Sequence, residues 1–157
     1  MEQISIERLS LCHPLLQQKI RAMDAVLLSE STVIRIVQGV RTFEEQNELF
    51  AKRPKVTNAP GGYSMHNFGL AVDCIPGIPN VTPWEPDWDT KHIQYPKMVA
   101  AGEAQGLVSG SNWHSLVDWP HFQLGGLPVT PTEQMRQDFY AGGLPLVWQK
   151  FDGGVYA

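Results

Sequence analysis

Two short stretches of this chain concentrate side chains that bind metals: SMHNFGLAVD at 64–73 and DWPHF at 118–122. They supply His66, Asp73 and His121. Two imidazoles and one carboxylate are a common ligand set for catalytic Zn²⁺, and three protein ligands leave the fourth tetrahedral position to water. Asp118, three residues before His121, supplies the base that such water needs. Together these residue types would perform metal-assisted hydrolysis.

The chain around them has to bring them together. Gly69 permits a tight turn between His66 and Asp73. The run 70–75, LAVDCI, predicts a strand with Leu70, Val72 and Cys74 on one face and Ala71, Asp73 and Ile75 on the other. An aspartate inside such an apolar strand is costly unless it is paired or holds a cation. His66, in the loop before the strand, reaches the same face. Taken alone, this pair also fits a surface histidine and an aspartate in an ordinary salt bridge. The second stretch shifts the balance: Trp119-Pro120 imposes an extended turn, and His121 then opens a strand. Asp118 is thereby set near the bound water without being a ligand, although an aspartate is also a common turn former.

Elsewhere, Leu16, Ile20, Met23 and Leu27 recur at helical spacing and predict an amphipathic helix from Pro14 to Leu28, with proline in its first turn. His13 then belongs to the start of that helix. The β-branched run Thr32–Gln38 predicts a strand ending at Gly39. Thr42 and Glu45 form a capping box for a helix from Phe43 to about Lys52, stopped before Pro54. Residues 54–63 read as a loop, in which Gly61-Gly62 make either a lid hinge or a plain turn. A second loop covers 76–90. A helix is expected from Tyr95 to Gly106, and a strand over Trp119–Leu124. Thr130-Pro131-Thr132-Glu133 offers a second capping box for a helix ending near Gly142-Gly143, and Leu144–Phe151 a last short strand. Helices and strands mix without strict alternation, which favours an α+β fold with a small antiparallel sheet flanked by helices.

The 157 residues make one domain with its core over about 14–124, large enough for a hydrophobic interior. A net charge of −4, with no basic stripe, argues against nucleic acid as a partner. No apolar stretch approaches the roughly 18–20 residues that span a bilayer. The acidic start MEQISIER is not a secretory signal, so synthesis and retention in the cytoplasm are expected. Cys12 and Cys74 do not form a disulfide framework, and Cys74 reads as a buried small hydrophobe. The segment Trp84–Asp89 carries three acids. It reads as a solvated acidic loop rather than a Ca²⁺ site, and its tryptophans as packing residues rather than a cover for the site or a glycan contact.

The pattern Ser-x-His-x-x-Gly-x-Ala-x-Asp followed by Asp-x-Pro-His-Phe resembles the zinc peptidases of the D-Ala-D-Ala carboxypeptidase and VanY type. Within them it is most similar to the L-alanyl-D-glutamate endopeptidases used as phage endolysins. Arg41-Thr42 with Gln46, then Gly106-Leu107 and Trp113, support the resemblance, which covers roughly Pro14 to Leu124. It implies a Hedgehog/DD-peptidase-like fold and Zn²⁺ held by His66, Asp73 and His121. Asp118 would be the acid/base, where the more familiar carboxypeptidase pattern has Glu. Arg41 would polarise the scissile carbonyl or hold a substrate carboxylate, with a structural ion pair as the duller reading. Ser64, Trp113 and His114 are candidate substrate contacts; His114 also fits a surface or capping role. The implied partner is the peptidoglycan stem peptide, cut between L-Ala and D-Glu by a monomeric enzyme during phage lysis of a bacterial host. On this scaffold a D,D-carboxypeptidase or D,D-dipeptidase is the nearest alternative. A non-catalytic zinc-containing wall-binding protein is a further one.

Overall fold

A computed structural model describes all 157 residues. Its elements run α1 (Gln3–Ser10), α2 (Pro14–Ser29), β1 (Ile34–Gln38), α3 (Phe43–Ala51), β2 (Ala71–Pro76), α4 (Gln94–Ala104), β3 (Leu107–Ser109), β4 (His121–Leu124) and α5 (Glu133–Asp152). The four strands form one sheet in the order β1-β2-β4-β3, with every neighbouring pair antiparallel. This is the α+β architecture expected from the sequence.

The apolar stripe of α2 is the centre of the core: Leu16, Ile20, Met23 and Leu27 are fully buried. Pro14 occupies its first turn, and His13 Nδ1 accepts the Leu15 N–H as the cap. The other side of this contact is the helix-facing side of the sheet. Phe122 points there, so close to Gly102 of α4 that a Cβ on that glycine would lie 2.5 Å from the ring. By strand alternation, His121 and Gln123 point the other way. The Asp73–His121 and Ala71–Gln123 pairings put Asp73 on that same side.

Thr42 caps α3 as expected. Its Oγ1 accepts from Glu45 N at 3.1 Å, and Glu45 Oε2 accepts from Thr42 N at 2.8 Å. At α5 the cap is not Thr130 but Thr132, whose hydroxyl accepts from Met135 N.

The structure departs from the sequence reading at three further points. Residues 3–10 form a helix that no apolar period announced, because α1 works largely through polar groups. Ser5 Oγ accepts from Ile36 N and Arg8 Nη1 donates to Ile36 O, so α1 satisfies part of the free edge of β1. The 144–151 segment is helical, not a strand. Gly143, at φ 65° and ψ −161°, breaks α5, and the chain resumes a helical path through Pro145. Leu144, Val147, Trp148 and Phe151 follow helical spacing. Finally, the strand expected from Trp119 starts only at His121; Pro120 has no N–H to give a ladder.

Candidate active site

His66 sits in a 3-10 turn, Met65–Phe68, closed by Gly69 in the left-handed conformation at φ 66°. Asn67 ties this turn to its surroundings: its Oδ1 accepts from Gly62 N, and its Nδ2 donates to the carbonyls of Arg41 and Thr42. Trp148 of α5 closes the turn from outside by donating to Phe68 O at 2.8 Å. Asp73 and His121 come from paired positions on β2 and β4.

The three side chains converge. His66 Nε2 lies 3.1 Å from Asp73 Oδ1 and 3.2 Å from His121 Nδ1, and His121 Nδ1 lies 3.4 Å from Asp73 Oδ1. The outer nitrogens decide what these atoms carry. His66 Nδ1 faces the Gly39 carbonyl at 2.8 Å, and His121 Nε2 faces Gln123 Oε1 at 3.0 Å. Both partners only accept, so both outer nitrogens hold a proton, and each ring when neutral presents its inner nitrogen as a lone pair. Two imidazole lone pairs and a carboxylate oxygen thus point at one another, an arrangement that calls for a cation. Ligand atoms about 2.0–2.2 Å from a tetrahedral ion stand about 3.3–3.6 Å apart, close to the observed triangle. The donor set therefore fits a Zn²⁺-like ion.

Charge follows the same geometry. Without an ion the inner nitrogens can hold protons against the carboxylate: burial alone would push the Asp73 carboxyl up, but the charges and hydrogen bonds of protonated His66 and His121 hold it well below the usual carboxylate range, and a metal would take the place of those protons. Burial works against a charged His121, yet the hydrogen bond and charge of Asp73 raise its pKa above the ordinary value. Asp118 departs upward: burial and the nearby Asp73 charge raise it, against the pull of His121, His66 and Arg41. A carboxyl raised in this way is suited to proton exchange.

These groups form the floor of a cavity of about 800 Å³. One wall is the loop through Val56, Asn58 and Tyr63; the other combines 112–116 with Val129 and Thr130. Ser64, Trp113 and His114 all line it. Trp113 lies against His121, with ring centroids 4.6 Å apart. Arg41 is the only Lys or Arg on the lining. Its Nη1 donates to Gln46 Oε1 at 2.7 Å, and its Nη2 lies 3.4 Å from Asp73 Oδ2. Gln46 donates onward to Ala59 O at 2.7 Å, which ties Arg41 to the first wall. Gly61 N donates to Asn47 Oδ1 and Gly62 N to Asn67 Oδ1, which tie this turn to α3 and to the His66 turn.

The acidic segment around Trp84–Asp89 lies apart from this cavity. Asp87 is not solvated: it is buried and accepts from His92 Nδ1 at 2.8 Å. Trp84 packs under Arg35, 3.8 Å from its ring centroid. Within the site, Gln123 and the Gly39 carbonyl are functional groups that sequence reasoning missed. Alternation from His121 places Gln123 on the site face, so its type and position were a readable signal.

Comparison with known proteins defines the class. Residues 57–124 match the family described as D-alanyl-D-alanine carboxypeptidase. The peptidoglycan L-alanyl-D-glutamate endopeptidase CwlK of Bacillus subtilis (strain 168) is 30% identical over 121 residues, which cover 71% of this chain and 72% of CwlK. The crystal structure of the Serratia marcescens L-Ala D-Glu endopeptidase ChiX superposes with a TM-score of 0.61 at 25% identity, over 79% of this chain and 88% of that one. The chain belongs to this peptidase family.

Proposed function

We propose that this peptidase is a zinc-dependent peptidoglycan hydrolase that cuts the stem peptide between L-Ala and D-Glu, used as a phage endolysin. The observation that carries the metal-dependent part is the convergence of His66 Nε2, Asp73 Oδ1 and His121 Nδ1, with both imidazoles held in the tautomer that leaves the inner nitrogen bare. When bound there, the ion would polarise the scissile carbonyl and acidify water. Asp118, on the floor of the same cavity, takes the proton from the attacking water and returns it to the departing amine of D-Glu. The new C–O bond forms as the C–N bond breaks, and a carboxylate and an amine result. Arg41 adds fixed positive charge near the developing oxyanion.

The choice of bond draws on the L-Ala–D-Glu activity of CwlK and ChiX. A half-buried Asp118 on the cavity floor, its pKa raised, favours an enzyme over a wall-binding protein, because a purely structural metal site needs no base. The endolysin role, with the protein held in the host cytoplasm until release, rests on the resemblance of the paired motifs.

Mass spectrometry of Gram-negative muropeptides after digestion by the zinc-loaded protein tests this. Peptides that begin with D-Glu are expected, with L-Ala left on the glycan. Free D-Ala would instead assign a carboxypeptidase, and unchanged muropeptides a binding protein. Rapid clearing of outer-membrane-permeabilised cells is expected of a lytic enzyme; cleavage of purified wall without clearing would overturn the endolysin role.

A further inference from the structure

Gln123 is almost fully buried, at 1% exposure, two residues after His121 on the same face of β4. Its amide has two ends and both are used. Oε1 lies 3.0 Å from His121 Nε2, and Nε2 donates to the Val129 carbonyl at 3.4 Å. Reversing the amide would press its oxygen against the Val129 carbonyl, two acceptors with no proton between them. The Val129 carbonyl therefore sets the direction of the amide. The amide in turn demands a proton on His121 Nε2, so that whenever the ring is neutral Nδ1 is the bare nitrogen toward Asp73 and His66. A backbone group in the cleft wall thus decides which nitrogen of His121 can bind a metal.

We propose that Gln123 is a positioning residue that fixes the His121 tautomer and couples it to the wall around Val129. This rests on the metal-dependent reading of the site, but the tautomer itself can be read without metal. The neutral amide also matters. A carboxylate in its place would make His121 more electron-rich. With Asp73 as the sole anion of the triad, a divalent ion held there keeps a net charge of +1 and more of its pull on a carbonyl.

Two variants separate the ends of the amide. Gln123→Glu keeps an acceptor for His121 Nε2–H but loses the donor to Val129. Gln123→Leu loses both. The readouts are ¹⁵N chemical shifts of the His121 ring in metal-free protein, at a pH alkaline enough to neutralise the ring, and Zn²⁺ affinity by competition with a chelator. Parent and Gln123→Glu should show the Nε2–H tautomer. Gln123→Leu should show a mixture with Nδ1–H, and Zn²⁺ binding about 10–100-fold weaker. Gln123→Glu should bind Zn²⁺ at least as tightly as the parent while kcat falls.

A folded Gln123→Leu with the parental tautomer and affinity would overturn the proposal. If Gln123→Leu does not fold, Gln123→Glu decides, because an Nδ1–H tautomer or weakened Zn²⁺ binding there is equally fatal. A parent that shows the Nε2–H tautomer yet binds no Zn²⁺ would refute the metal reading and leave the tautomer control standing.

Discussion

The proposed mechanism gives Asp118 and His66 different tasks on the floor of one cavity, and substitution should separate them. Asp118→Ala removes the acid/base but none of the three converging atoms. A fall of about 10²–10⁴ in kcat is expected, with metal content and circular dichroism unchanged. An Asp118→Ala protein that digests wall at the parental rate would remove it from the mechanism. His66→Ala deletes one corner of the triangle, so bound zinc measured by elemental analysis should drop well below one per chain. Full stoichiometry would show that His66 is no ligand. The pH profile adds a directional check on Asp118. As a base it acts ionised, so kcat/KM should fall with acid through a limb that moves or vanishes in Asp118→Ala. The same limb in both proteins would place the titration elsewhere.

The elements that carry these residues were legible to unequal degrees. The stripe of α2 and the Thr42 box of α3 each rest on local signals that the fold leaves intact. α1 was hidden because Ser5 and Arg8 serve β1 through polar contacts, which no apolar period reveals. The end of α5 was misread as a strand because Gly142-Gly143 marks a break in a helix without fixing the conformation of the residues beyond it. The three converging residues were legible because histidine and aspartate beside apolar strand residues are chemically conspicuous. Gln46 and Gln123 were less so, since a glutamine declares no role until its two ends have partners. The turn at Gly69 can be tested. An added Cβ there would lie 3.0 Å from the Trp148 ring, at a φ of +66°. Gly69→Ala should therefore cost at least about 1–2 kcal/mol by chemical denaturation and weaken Zn²⁺ binding, because the turn carries His66. Parental zinc affinity in this variant would show that the turn does not set the site.

For the molecule as a whole, one pH-dependent contribution lies far from the cavity. His92 is raised above its ordinary value first by its hydrogen bond to Asp87, then by the charges of Asp87 and Asp89, against an opposing effect of desolvation. A group raised on folding stabilises most below its unfolded pKa, and that contribution is lost as pH rises through the folded value. The Tm gap between the parent and His92→Gln should thus be wider at about pH 5.5 than at about pH 8.5. An equal gap at both would show that the pair adds no pH dependence.

The Gly39 carbonyl and Gln123 hold both imidazoles ready through contacts that owe nothing to an ion. Zinc-finger modules wait for their metal before they fold, whereas here a core of 23 buried apolar residues holds the fold. Loading should be a docking event rather than a folding event. A chelated sample should keep its circular dichroism and regain full hydrolytic rate within the mixing time once Zn²⁺ is added. Slow, temperature-steep recovery would mean that the socket collapses when empty. If docking is fast, the supply of metal would act as an on-switch for a protein that is already folded.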